Sequence, residues 1–263
     1  MAKGSKAEEL YPLPEEERKA LISTTLKSEA LIAWGGVVGA LAVTNLSHGL
    51  GYTLRLGWVQ DICQALTFHW AMLVLPVVAI CLVLLIDTCG KARSESYRKQ
   101  KLEVAQGVNG ELMRVGTGWM LLFAALAGIC EELLFRYVLM GVLMFVFGLF
   151  FDGLAAAGAT VVASSVFFAL IHTQYRNPWS IDLVLCLGMI FGIGYLATGS
   201  LLVVMITHAV YDAAIMLYER HHMVTDPNYF GGKVPNDVVR QLLASQAKAQ
   251  AAKKRKASAQ EGE

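Results

Sequence analysis

A few residues in the apolar half of this chain have types and spacings suited to chemistry: Glu131, Glu132 and Arg136, then Phe168 and His172, then His208 and Asp212. A charged side chain near the centre of a bilayer costs at least about 2.5–3.5 kcal/mol. Two carboxylates and a guanidinium within CEELLFR therefore call for a polar surrounding. Glu132 and Arg136 stand four apart, one helical turn on the same face, and neutralise each other. Glu131 is turned away from them by about 100°. One carboxylate is braced and the other is left to act. Taken alone, the pair reads equally well as a structural salt bridge between helices. His172, one turn after Phe168, reads alone as a packing histidine. His208 and Asp212 are again four apart. The remaining formal charges between Val115 and Tyr218 are Asp152, Arg176 and Asp182, and the span holds no lysine. Three separate segments thus supply ionisable groups where little else ionises, which points to one shared polar site.

A glutamate and a histidine together can hold a water and remove its proton. A second histidine can hydrogen-bond a developing oxyanion. That is the equipment of a water-activating hydrolase. No GxSxG signature occurs in the region, and Ser164 and Ser165 read as packing. Two histidines with carboxylates also suit zinc, but the HExxH spacing is absent. No cofactor is required, and zinc stays an open alternative.

The elements that must position these groups are membrane helices. Of the 263 residues, 56% are hydrophobic and 16% charged, against about 25% charged in the usual soluble domain. Charges crowd into the first thirty residues, 87–114 and the tail. A net charge of +1 argues for no nucleic-acid partner. The cysteines, Cys63, Cys81, Cys89, Cys130 and Cys186, lack metal-type spacing and read as reduced packing residues. No cleavable signal peptide is expected, so the first apolar run is a retained span. Apolar runs of the length that crosses a bilayer lie at 30–46, 68–86 (with Pro76 inside), 154–172, 181–197 and 200–218. The region 115–151, at roughly 55 Å as one helix, is too long for a single crossing, so a break is expected near Gly128–Glu132. The stretch 153–165, GLAAAGATVVASS, suits close helix contact. The fold class expected is an all-α polytopic membrane bundle of six to eight transmembrane helices around a polar cavity. Its divisions are a polar arm at 1–28, ending in a surface helix; two spans and a basic loop at 29–114; a catalytic core at 115–218; and a basic soluble tail at 219–263. The loop 91–114 carries six Lys/Arg and is placed in the cytoplasm by the positive-inside rule. The expected localisation is a cell inner membrane with both termini cytoplasmic. KKRK at 253–256 is a solvated run or a contact with anionic lipid.

In order, EExxxR (Glu131, Glu132, Arg136), FxxxH (Phe168, His172) and HxxxD (His208, Asp212) resemble the CPBP family of intramembrane proteases, which includes CAAX prenyl endopeptidases and bacterial Abi proteins. The resemblance covers roughly 115–218. It implies peptide hydrolysis by a glutamate-activated water, with Glu131 as base, His172 holding the water, His208 and Asp212 on the oxyanion side, and Glu132, Arg136 and Phe168 in support. The prenyl-protein enzymes carry Asn where this chain has Asp212, which bears on the substrate more than on the chemistry. The partners implied are the lipid bilayer and a membrane-associated peptide or protein. Two other readings of the same groups are a proton-coupled transporter that uses Glu131, His172 and Asp212 as a relay, and a non-catalytic membrane scaffold.

Overall fold

The computed structural model describes residues 13–49, 65–91, 108–172 and 178–225. All the regular structure there is helical. The apolar runs at 30–46 and 68–86 lie within α1 (Glu15–Gly49) and α2 (Ala71–Lys91). After α3 (Val108–Leu112) comes the motif-bearing helix α4 (Thr117–Glu132), then α5 (Met140–Gly148). The last three expected spans are α6 (Gly153–Ile171), α7 (Pro178–Thr198) and α8 (Leu201–Thr225). The surface helix expected within 1–28 and the first span prove to be one helix. Pro14 precedes it, the Pro14 carbonyl accepts from the Arg18 amide at 2.9 Å, and Glu15, Glu16 and Glu17 complement its positive end. Neither Pro nor Gly interrupts the chain from Glu15 to Trp34. Pro76 is accommodated inside α2. Most of the Gly-rich linker, Cys63, most of the basic loop, Arg176 and the tail with KKRK lie outside the described residues.

The expected break near Gly128–Glu132 does not occur. Helical backbone continues from Thr117 to Gly148, and α4 and α5 are joined by a π-helical segment, Leu133–Leu139. The wide i→i+5 turn, rare and often found at functional sites, replaces the break. Its effect is to turn more successive residues inward than an α-helix does. Leu133, Phe135, Arg136 and Tyr137 are all buried. At 1.5 Å per residue the composite helix is roughly 50 Å long, enough to cross the hydrocarbon and both interfaces. Five other helices, α1, α2, α6, α7 and α8, are each long and apolar enough to cross a membrane.

Polarity is arranged inside out. Leu31, Leu73, Leu154 and Leu170 lie on the outer faces, each more than half exposed. Glu132, Arg136, Thr160, Ser164, Thr207 and His208 are buried. That is the arrangement lipid imposes, because the hydrocarbon solvates apolar faces and leaves polar groups to pair within the bundle. The small residues of α6 do allow close approach: Gly188 of α7 packs on Ser165, and Gly192 on Val161. Cys81, Cys89, Cys130 and Cys186 are free.

The tightest approach sets up the site. A Cβ on Gly128 of α4 would lie 2.7 Å from both the Ala209 nitrogen and the Met205 oxygen of α8. Both are backbone atoms of a helix and cannot swing aside. Gly128→Ala is therefore expected to push α4 from α8 and to cost about 1–3 kcal/mol. A lowered unfolding midpoint in detergent is the readout; an unchanged midpoint would show that the two helices do not meet there.

Candidate active site

The site is built where α4 passes into the π segment, against the end of α6 and the middle of α8. Glu132, the last residue of α4, faces both ways. Its Oε1 accepts from His208 Nδ1 at 2.9 Å, and its Oε2 lies 3.0 Å from Arg136 Nε. The close packing at Gly128, one turn earlier, is what brings α8 within reach of Glu132. His208 Nε2 lies 3.4 Å from Asp212 Oδ2, one turn along α8. His172, at the C-terminus of α6, points its Nε2 at Glu131 Oε2 across 3.8 Å. Phe168 joins the two halves. Its ring lies 4.5 Å from that of His172, 6.1 Å from that of His208, and under the Arg136 guanidinium at 4.9 Å.

The tautomer of His172 follows from its neighbour. Nδ1 lies 2.7 Å from the Phe168 carbonyl oxygen, which can only accept. Nδ1 therefore carries a proton, and in the neutral ring Nε2 is an acceptor aimed at Glu131. Two acceptors 3.8 Å apart make no direct hydrogen bond.

Exposure divides the two glutamates. The side chains of Glu132 and Arg136 are 0% exposed, whereas those of Glu131 and His172 retain 13% and 17%. The interior pair is shut off from the surface, and the Glu131–His172 pair keeps partial exposure. All the residues singled out from the motifs come together here. Asp152 and Asp182 do not; they sit exposed at helix starts.

Sequence reasoning missed several participants. Glu132 holds His208 as well as bracing Arg136. Phe191 of α7 packs 5.0 Å from the His208 ring and 5.8 Å from the Arg136 guanidinium, yet within GMIFGIGY it looks like any apolar residue. Glu29 of α1 meets the Cys130 thiol; as the last charge before an apolar run, it reads as the membrane end of a helix. No three His, Cys, Asp or Glu side chains among the described residues converge as metal ligands do.

Residues 114–214 match the family model described as type II CAAX prenyl endopeptidase Rce1-like. The motif-bearing segment is Rce1-like. The resemblance seen in the three motifs is borne out over the stretch that carries them. Comparison with curated proteins and with solved structures found no match. The Rce1-like segment starts beside Val115, a residue buried with Leu13 and Phe123, and ends at Ala214, two residues beyond Asp212. It thus contains α4 to α7 and α8 as far as Ala214. The helix α1, which packs along α4 and the π segment, lies outside it.

Proposed function

We propose that the protein is an intramembrane endopeptidase in which Glu131 and His172 activate a water for attack on a peptide carbonyl. The observation that carries this reading is the facing of two acceptors, Glu131 Oε2 and His172 Nε2, at 3.8 Å. A water has two protons and can donate one to each. Glu131 then takes a proton as the water oxygen bonds to the carbonyl carbon. The resulting oxyanion lies near His208, whose Nδ1 is held by Glu132 while its Nε2 has only a long contact to Asp212. With a carboxylate at each ring nitrogen His208 holds both protons, and its Nε2–H can turn its hydrogen bond toward the oxyanion. Collapse of the intermediate breaks the C–N bond, and the leaving amine recovers the proton from Glu131. No cofactor is invoked.

The six helical passages give an even count. The N-terminus and the basic tail then share one side, with the 91–114 loop, which the positive-inside rule assigns to the cytoplasm of a cell's inner membrane. Reversal between α7 and α8 needs a single left-handed residue, Gly199 at φ 63°.

The test is purified protein in lipid nanodiscs with a quenched peptide ending in a prenylated CAAX sequence, beside its unprenylated twin. A single cut located by mass spectrometry is expected, and it should persist in chelator. Absence of any cut would remove the proposal; loss in chelator with recovery on zinc would replace the water-activating pair with a metal.

Asp212→Asn is expected to keep hydrolysis within about threefold, because at 3.4 Å the contact to His208 is weak. An amide also accepts from Nε2–H and offers a donor of its own. A loss of about a hundredfold in kcat would instead assign the carboxylate charge to the oxyanion step.

A further inference from the structure

Glu29 is the one acid at the site that the motifs do not include. It is carried by α1, and α1 lies outside the Rce1-like segment. The parallel packing of α1 on α4 and the π segment brings it there: Gly36 of α1 packs on Leu133, and Gly39 on Val138. Two turns before Gly36, Glu29 meets the Cys130 thiol, next to Glu131, within electrostatic range of His208 and Asp212. A thiol is a weak donor. Among the described residues, Glu29 Oε2 is buried without a hydrogen-bond partner, as is Glu131 Oε2. Buried carboxylate oxygens are rarely left so, and such an atom can accept from a donor outside the protein.

Which donor is decided by charge. Glu132 is matched by Arg136. Against the two imidazoles stand Glu131, Asp212 and Glu29, so this wall is acidic. Amide hydrolysis yields a carboxylate and an amine, and at neutral pH the amine is an ammonium. The acidic wall repels the first product and attracts the second.

We propose that Glu29 receives the amine side of the cleaved bond: its carboxylate accepts from the scissile N–H and then pairs with the ammonium of the released carboxy-terminal fragment. This rests on the peptidase reading above. It makes Glu29 a substrate-contacting residue supplied by a helix outside the catalytic segment.

The test measures binding rather than turnover. The probes are a tripeptide of two aliphatic residues and serine with a free amino terminus, and the same tripeptide N-acetylated. Each is titrated by calorimetry into the purified full-length protein in nanodiscs. The free amine is expected to bind at least about tenfold more tightly than the acetylated form, the scale of one charge-assisted hydrogen bond. Glu29→Gln should bring the two affinities together by weakening only the free amine. A merely structural role would weaken both probes equally. Should Glu29→Gln not fold, Glu29→Asp keeps the charge but shortens the reach, and a reduced ratio is expected. No preference in the wild type, no binding of either probe, or an unchanged ratio in the variant overturns the proposal. Cleavage is scored separately in the same preparation: intact cleavage without amine preference sinks this inference alone, and amine preference without cleavage sinks the peptidase reading and leaves Glu29 as an amine-binding residue only.

Discussion

Glu131→Gln is expected to abolish peptide hydrolysis, by on the order of 10³-fold or more, with the fold preserved. Glutamine matches glutamate in size and retains an acceptor oxygen, but it cannot take a proton. The water would still be held by His172 Nε2 and the amide oxygen, and would remain a poor nucleophile. Stability should change little, because the nearest partner of Glu131 is 3.8 Å away and the side chain keeps some exposure. The comparison is kcat against unfolding midpoint in one preparation. His172→Ala should fall with it, since the second acceptor is lost. Cleavage by Glu131→Gln at the wild-type rate would end the proposed mechanism. A fall in midpoint matching the fall in rate would make Glu131 a structural residue.

Arg136→Ala is expected to do the reverse, with destabilisation first and inactivity as its consequence. The guanidinium is fully buried, pairs with Glu132 at 3.0 Å and lies over the rings of Phe168 and Phe191. Among the described residues its Nη1 and Nη2 have no hydrogen-bond partner, so the ion pair and the aromatic faces together hold the charge. Removing one member of such a buried pair leaves the other uncompensated, at about 3–5 kcal/mol. Thermal unfolding and yield in detergent read this directly. Arg136→Lys should recover only part, because a point charge lacks the planar fork and the stacking face. A sharper arm is the double variant Glu132→Leu with Arg136→Met. Replacing both charges by apolar groups of similar volume should restore much of the stability. Activity should stay lost, since His208 Nδ1 would have no acceptor. Recovery of both together would show that Glu132 braces the bundle and does nothing for His208.

The amino-acid sequence by itself determined that this is a helical membrane protein, where most of its spans lie, and which ionisable residues fall within apolar sequence. The reason is that lipid is a severe filter. A charge in hydrocarbon costs so much that Glu131, Glu132, Arg136, His208 and Asp212 stand out against an apolar background, and spacing of four residues pairs them without reference to anything distant. The family resemblance was legible for the same reason, because its motifs are local. Tertiary structure alone decided how these groups meet. That Glu132 reaches His208 depends on Gly128 letting two backbones touch across 77 residues of chain from Gly128 to Met205. That the 117–148 run bends its register through a π turn instead of breaking depends on neighbours on every side of Leu133–Leu139, and no residue in LLFRYVL announces it. Glu29 was hidden most completely. At a helix position next to Lys27 and Ser28 it looks like an interfacial charge, and only the parallel packing of α1 on α4 carries it to the acids it joins.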